Sequence, residues 1–222
     1  KQFGKTIINF PAVYDMLASM KAKLDAGRTL LYTTARFVDI YKALEDIARE
    51  RPRTPEERKK LKTYSKLSDA CTPLSKGMNS EYCNQNAYDC IQIHGGSGFM
   101  LEYACQRIYR DARITSIYEG TTQLQVVAAI RYVTNGFYSQ YIAERQQETV
   151  LPQFQALKDK VNAMGECYNA CVNKVNVLQN QEYQDFVARH LYEMAADIIM
   201  GHLILADASK DADLFGKSAK VY

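Results

Sequence analysis

The sequence predicts an all-α protein, an up-and-down bundle of long helices with a C-terminal helical-hairpin extension. Three observations carry that expectation. Apolar residues recur at steps of three, four and seven along most of the chain, the spacing that lines one face of a helix. No segment alternates convincingly over five residues, as a half-buried strand would. The breaks fall at Arg51-Pro52, Thr54-Pro55, HGGSGF and Asn135-Gly136, each of them a signal that ends or starts a helix.

From Pro11 to Glu50 the stripe runs through Val13, Leu17, Met20, Leu24, Leu31, Ala35, Val38 and Leu44. A helix of that length reaches on the order of 55–60 Å. Pro11 is tolerated in its first turn, where the missing N–H is not needed. Thr54-Pro-Glu-Glu starts a second helix, from about Glu56 to Ile93, and Pro73 inside it is expected to kink or briefly break it. The glycines of HGGSGF (94–99) stop that helix. A short helix around Glu102–Arg110 and the turn ITSIYEGT come next, then a helix from near Gly120 to Asn135-Gly136. Beyond Phe137 a heptad seam of Val150, Phe154, Leu157, Val161, Met164, Tyr168, Cys171, Val175 and Leu178 predicts lengthwise packing, on the main bundle or on another subunit. A second helix, about Glu182–Ala208, completes an antiparallel hairpin, and Asp211–Tyr222 reads as the opening turns of a further, truncated helix. The domain division expected is residues 1–137 and 138–222.

Composition narrows the function classes. At 222 residues with 47% hydrophobic and 24% charged, the chain can bury a proper core as one large domain or two small ones. A net charge of +3 marks neither a nucleic-acid nor a membrane surface, and the one dense charge run, RERPRTPEERKKLK (49–62), interleaves its acids and reads as a solvated loop. No apolar run reaches the ~18 residues of a membrane span. The six cysteines (Cys71, Cys83, Cys90, Cys105, Cys167, Cys171) contain no CxxC pair, and no histidine stands beside Cys167 and Cys171. Reduced thiols and no metal site are expected. His190 and His202 read as satisfied or exposed side chains rather than ligands.

Chemistry concentrates in ITSIYEGTTQ (114–123). Glu119 stands just before a helix start, where the positive end of the helix dipole favours a carboxylate. Gly120 allows a sharp turn and a close approach, and Thr121, Thr122 and the free N–H groups of the next helix can hold a phosphate or other polar ligand. Glu119 is then either a helix cap or a base held for chemistry. HGGSGF lacks the strand before it and the helix after it that a dinucleotide fingerprint requires, and fails as a Rossmann motif.

Taken together, KQFGK (1–5), QIHGGSGF (92–99), RDARI (110–114) and IYEGTTQLQ (117–125) fall in one order and spacing, which resembles the C-terminal helical domain of the acyl-CoA dehydrogenases. These are flavoenzymes that oxidise acyl-CoA thioesters to 2-enoyl-CoA. The resemblance covers about residues 1–137 and implies FAD as cofactor, acyl-CoA as substrate and an electron-transferring flavoprotein as acceptor. It implies that Glu119 is the base that removes the acyl α-proton while the β-hydrogen leaves as hydride to the flavin, and that its backbone N–H binds the thioester carbonyl. Thr121 and Gln123 match residues on the flavin of the same subunit. Gln2, Phe3, Gln92, Gly95 and Gly96 match residues that reach the flavin of a neighbouring subunit, which implies a homo-oligomer, dimer or tetramer. Residues 138–222 are similar to the extra helical region of longer bacterial members, as is TPLSK (72–76), and the bacterial cytoplasm is the compartment this implies. The N-terminal helical domain and the β-domain of the family lie outside this sequence, so the chain alone is expected to be inactive. Two other readings stand beside this one: a scaffold with a dead flavin site, and a duplex-binding module, for which the charge gives little support. An acyl-CoA oxidase is a rival of the same class.

Overall fold

The computed structural model describes residues 2–222; Lys1, the first residue of the KQFGK motif, lies outside them. Helix α1 (Pro11–Glu50) has the predicted limits, with Pro11 in its first turn. Helix α2 (Pro55–His94) begins on a reciprocal capping box: Thr54 Oγ1 accepts from the Glu57 N–H, and the Glu57 carboxylate accepts from the Thr54 N–H. Arg51 forks onto the same carboxylate at 2.7 and 2.9 Å, so the link between the two long helices is fixed by charge as well as by caps.

The two helices pack antiparallel through small residues. Ala22, Ala26, Gly27 and Thr29 are buried on α1, and Asn79 Nδ2 of α2 donates to Gly27 O at 3.2 Å. A second rung, Asn86 Nδ2 to Met20 O at 3.2 Å, sits one heptad further along each helix in opposite directions. The start of α1 and the end of α2 therefore lie at the same end of the pair.

Pro73 does not break α2, which stays helical through it. Its ring removes the donor to the carbonyl of Asp69, and Asp69 lies on the exposed side of the helix. On the buried side tyrosine hydroxyls reinforce the same stretch. Tyr138 donates to Ala70 O at 2.7 Å and Tyr192 to Pro73 O at 2.9 Å.

Past α2, the glycine-rich stretch forms a single turn of helix, α3 (Gly96–Phe99), rather than ending helix altogether. The break itself is Gly95, at φ +60°. Helix α4 (Ala104–Thr115) is one turn longer than expected, and α5 (Thr122–Thr134) ends as predicted at Asn135-Gly136, with Gly136 left-handed at φ +78°. Then follow α6 (Phe137–Gln146), α7 (Gln155–Leu178), α8 (Gln181–Lys210) and α9 (Ala212–Val221).

The architecture is all-α, as expected, and among the described residues there is no strand. The α7–α8 hairpin does more than append to the bundle. Helix α8 is buried on nearly every side from Ala195 to Leu205 and touches α1, α2, α5, α6, α7 and α9. A helix apolar all round belongs in a core, and α8 is the axle of this one.

The heptad seam of α7 is half right. Phe154, Tyr168 and Val175 are buried, but Met164 and Leu178 are 48% and 51% exposed and Cys171 is exposed. The buried stripe is rotated toward Gly165 and Val172, because α7 lies against both α6 and α8 instead of facing one partner. His202 is another departure. It is neither exposed nor satisfied, being buried on α8 with no partner for Nε2 among the described residues. Burial first, and then the positive charges of Lys158 and Arg145, push its pKa down to about 4.

Two outcomes follow from this packing. A Cβ at Gly77 would lie 2.0 Å from the Tyr192 hydroxyl oxygen, so Gly77→Ala should destabilise the chain by roughly 1–3 kcal/mol. Part of that loss should return in the double variant with Tyr192→Phe; a strictly additive cycle in urea denaturation would contradict the close contact. For His202 the folded pKa is depressed, so its contribution is intact above the unfolded value of 6.5 and is lost as pH falls toward about 4. Over that window His202→Gln should lose less stability than the wild type, by at most about 3 kcal/mol. Equal slopes would clear His202 of any part in acid sensitivity.

Candidate functional site

The segment between α4 and α5 is a tight turn built by local hydrogen bonds. Ile117 and Tyr118 N–H groups both donate to Ile114 O, and the Thr122 N–H returns to Ser116 O at 3.1 Å. Closing so short a loop needs left-handed backbone at two successive residues, Glu119 at φ +52° and Gly120 at φ +95°. Glycine takes that conformation freely, whereas Glu119 holds it at a steric cost.

Helix α5 is capped by Thr121, whose Oγ1 accepts from the Leu124 N–H at 3.3 Å. That settles the alternative left open by the sequence: Glu119 is not the cap. Its carboxylate is exposed and has no hydrogen-bond partner among the described residues. The N–H groups of Glu119, Gly120 and Thr121 likewise have no acceptor among those residues. Side by side stand a carboxylate and three amides without partners among the described residues, an acceptor next to donors that could meet a negatively charged oxygen.

The turn is held from α2 and α8. Lys76 Nζ donates to Gly120 O at 2.5 Å and lies over the Tyr118 ring at 5.9 Å. Gln125 Nε2 reaches the same carbonyl at 3.2 Å. Thr122 Oγ1 donates to Glu81 Oε1 at 2.6 Å, and Arg189 of α8 stands 3.9 Å from that oxygen. Arg113 Nη1 donates to Ser116 Oγ at 2.5 Å. Sequence reading missed these anchors. Lys76 falls within TPLSK, but the turn it would serve is 44 residues away, and no local pattern connects them.

Thr121 and Gln123 line a groove of about 440 Å³ together with Glu81, Asn84, Arg113, Ser116 and Arg189. Two guanidinium groups, hydroxyls and amides suit a polar, anionic cofactor. Gln2, Phe3, Gln92, Gly95 and Gly96 are not on this groove. Gln2 closes a small turn with Lys5 by a pair of backbone hydrogen bonds, and Phe3 projects from it 86% exposed, near the start of α1. Gln92, Gly95 and Gly96 are exposed at the end of α2, and a Cβ on either glycine would meet nothing within 4 Å. By the rungs between α1 and α2, these two groups share one end of the helix pair. That end is about ten residues, some 15 Å, along α2 from Glu81 and Asn84. The sequence-predicted residues thus form two patches, one around Glu119 and one at the far end. Among the described residues no cluster of His, Cys, Asp or Glu could hold a metal, and no helix is long and apolar enough to cross a membrane.

Residues 1–133 match the family model described as acyl-CoA dehydrogenase, C-terminal domain, and residues 134–222 match one described as acyl-CoA dehydrogenase C terminal. The chain is 36% identical over 125 residues to the caffeyl-CoA reductase-Etf complex subunit CarC of Acetobacterium woodii, covering 56% of this chain and 27% of that protein. It is 35% identical over 131 residues to the probable acyl-CoA dehydrogenase YngJ of Bacillus subtilis, covering 59% and 28%. The chain therefore matches about a quarter of the length of these curated relatives. Among solved structures, an acyl-CoA dehydrogenase from Bacillus anthracis complexed with FAD aligns over 100% of this chain and 40% of its own, with TM-score 0.66 and 25% identity. Caenorhabditis elegans ACDH-11 in complex with C11-CoA aligns over 100% and 36%, with TM-score 0.73; at 21% identity that likeness shows the fold.

The Lys76 anchor can be tested directly. Lys76→Met keeps the side-chain volume but leaves the Gly120 carbonyl without its charged donor, a loss of about 1–3 kcal/mol of local stability. Hydrogen exchange over residues 114–125 should quicken by roughly fivefold to a hundredfold while the core of α8 keeps its protection. Unchanged exchange in the turn would show that Lys76 does not hold it.

Proposed function

This chain belongs to the acyl-CoA dehydrogenase family, its residues 1–133 matching that family's C-terminal domain, and from that premise we propose that it supplies the catalytic base of an FAD-dependent acyl-CoA dehydrogenase. The observation that carries the reading is the Glu119 turn, where a carboxylate that caps nothing stands beside three amides without an acceptor among the described residues.

In this reading the Glu119 carboxylate takes the α-proton of the acyl thioester. The Glu119 N–H faces the thioester carbonyl, whose oxygen gains negative charge as the proton leaves. A bound FAD would supply the hydride acceptor for the β-hydrogen, so that the proton on Glu119 and the hydride together account for the oxidation. Thr121 and Gln123 hold the flavin from the groove they share with Arg113 and Arg189. Gln2, Phe3, Gln92, Gly95 and Gly96, on the separate patch, serve the flavin of a second subunit, which makes the active protein a homo-oligomer. Proton abstraction from carbon needs a base shielded from water. Glu119 is exposed on this chain, so the shielding comes from flavin, substrate and protein beyond these residues, and the chain alone is inactive. An electron-transferring flavoprotein is the proposed acceptor, supported by the relative whose name places it in an Etf complex. Six unpaired cysteines fit a reducing compartment, the bacterial cytoplasm.

The test is an anaerobic titration of the intact protein with a panel of acyl-CoAs, followed by flavin absorbance. Some thioester should bleach the flavin, and Glu119→Gln should slow that bleaching by about 10²–10⁴-fold while still binding the thioester. A Gln variant that is reduced at the wild-type rate would remove Glu119 from the chemistry. A protein that carries no flavin would favour the scaffold reading.

A further inference from the structure

A second recess lies where α1, α2, α7, α8 and α9 meet. It has a volume of about 690 Å³, within the range of small-molecule sites. Its floor is aliphatic, with Met78, Ile204, Leu205 and Ala219 all buried there. On its wall stands Asp197 of α8, surrounded by aromatic rings. Tyr82 and Tyr222 each donate a hydroxyl to Asp197 Oδ1 at 3.0 Å, and their own oxygens are 2.8 Å apart.

Both donors therefore converge on one oxygen. Among the described residues no donor reaches Oδ2, and no lysine, arginine or histidine forms an ion pair with Asp197. The charged group that acts on it is Glu193, one turn earlier on the same helix and on the same wall; it has the same sign and already accepts from Arg189 at 2.8 Å. Lys23, Lys160 and Lys220 also border the recess without pairing with the carboxylate. A half-buried carboxylate is ordinarily matched by a cation. Here the place for the cation is open, aromatic at its sides and apolar beneath.

We propose that this recess binds an amphipathic ammonium, a protonated aliphatic or arylalkyl amine whose N–H donates to Asp197 Oδ2 and whose apolar body covers Met78, Ile204 and Leu205. The recess borders the Glu119 turn, sharing Glu81 and Thr122 with the groove beside it, but its carboxylate Asp197 is not on that groove and the proposal does not rest on the flavin chemistry.

The experiment is calorimetric titration of the intact protein with octylammonium, octanoate and octanol, each as the probe itself. Octylammonium should bind, and Asp197→Asn, which keeps the shape and an acceptor for both tyrosines, should weaken it by at least about tenfold. Met164→Trp, placed on the 48%-exposed residue at the mouth, should weaken it too with Asp197 intact. Should Asp197→Asn fail to fold, the Met164 variant decides the matter alone. Octanoate binding as tightly as octylammonium would assign the recess to its lysines and overturn the proposal. So would an Asp197→Asn variant that binds equally well, or no binding by any of the three.

Discussion

The arrangement of this protein turns on one contact, the hydroxyl of Tyr192 lying over Gly77 and donating to the carbonyl of Pro73. It joins α8 to α2 at Pro73, the proline inside α2, which leaves one helical carbonyl without its backbone donor. The glycine lets the ring come close, and the proline stretch gains a donor on its buried side. A bulkier residue at 77 or a phenylalanine at 192 would each remove half of the fit.

That contact sets the register of α2 against α8, and register decides what the neighbouring residues can reach. On one side of it Lys76 and Glu81 of α2 and Arg189 of α8 hold the Glu119 turn and the head of α5. On the other side Tyr82 of α2 meets Asp197 of α8 on the wall of the second recess. Residues one turn apart on a helix point to neighbouring patches of its surface, so sliding α8 by a turn would dismantle both sites together. The C-terminal helices are for this reason part of the framework that positions Glu119, although none of them supplies a residue to the turn itself.

Local signals in the sequence were read well where the physics is local. The limits of α1, the Thr54 capping box and the Asn135-Gly136 stop depend on residues within a turn of one another, and they appear where spacing and caps put them. The turn at Glu119 was legible because glycine and threonine around one acid form a local pattern. What could not be read depends on partners far along the chain. The seam of α7 was assigned the wrong stripe because a single periodicity cannot say that two helices, α6 and α8, share its face. Pro73 was expected to kink or briefly break α2, which stays helical through it, and the tyrosines that support that stretch come from 65 and 119 positions further on, Tyr138 and Tyr192. His202 looked ordinary because burial is invisible in its neighbours' identities.

The strain at Glu119 is the remaining point. A left-handed conformation costs a non-glycine residue about 1–2 kcal/mol, and a glycine at 119 would avoid it. Capping cannot explain the acid, since Thr121 performs that task. Packing cannot either, since the side chain is exposed and its surroundings include the exposed apolar groups of Ile117, Tyr118 and Leu124. What the left-handed pair does achieve is to close the loop on Ser116 while leaving the amides of 119–121 without an acceptor among the described residues. A carboxylate set among apolar surfaces open to solvent, beside amides that lack acceptors among the described residues, is what the proposed reading requires of a site completed by cofactor and substrate. A strained backbone persists where the surrounding structure over-determines it, and here Lys76, Gln125 and the Thr122–Glu81 hydrogen bond do so. The steric cost is thus borne by anchors on α2 and α5, which leaves the side chain of Glu119 without a structural task of its own.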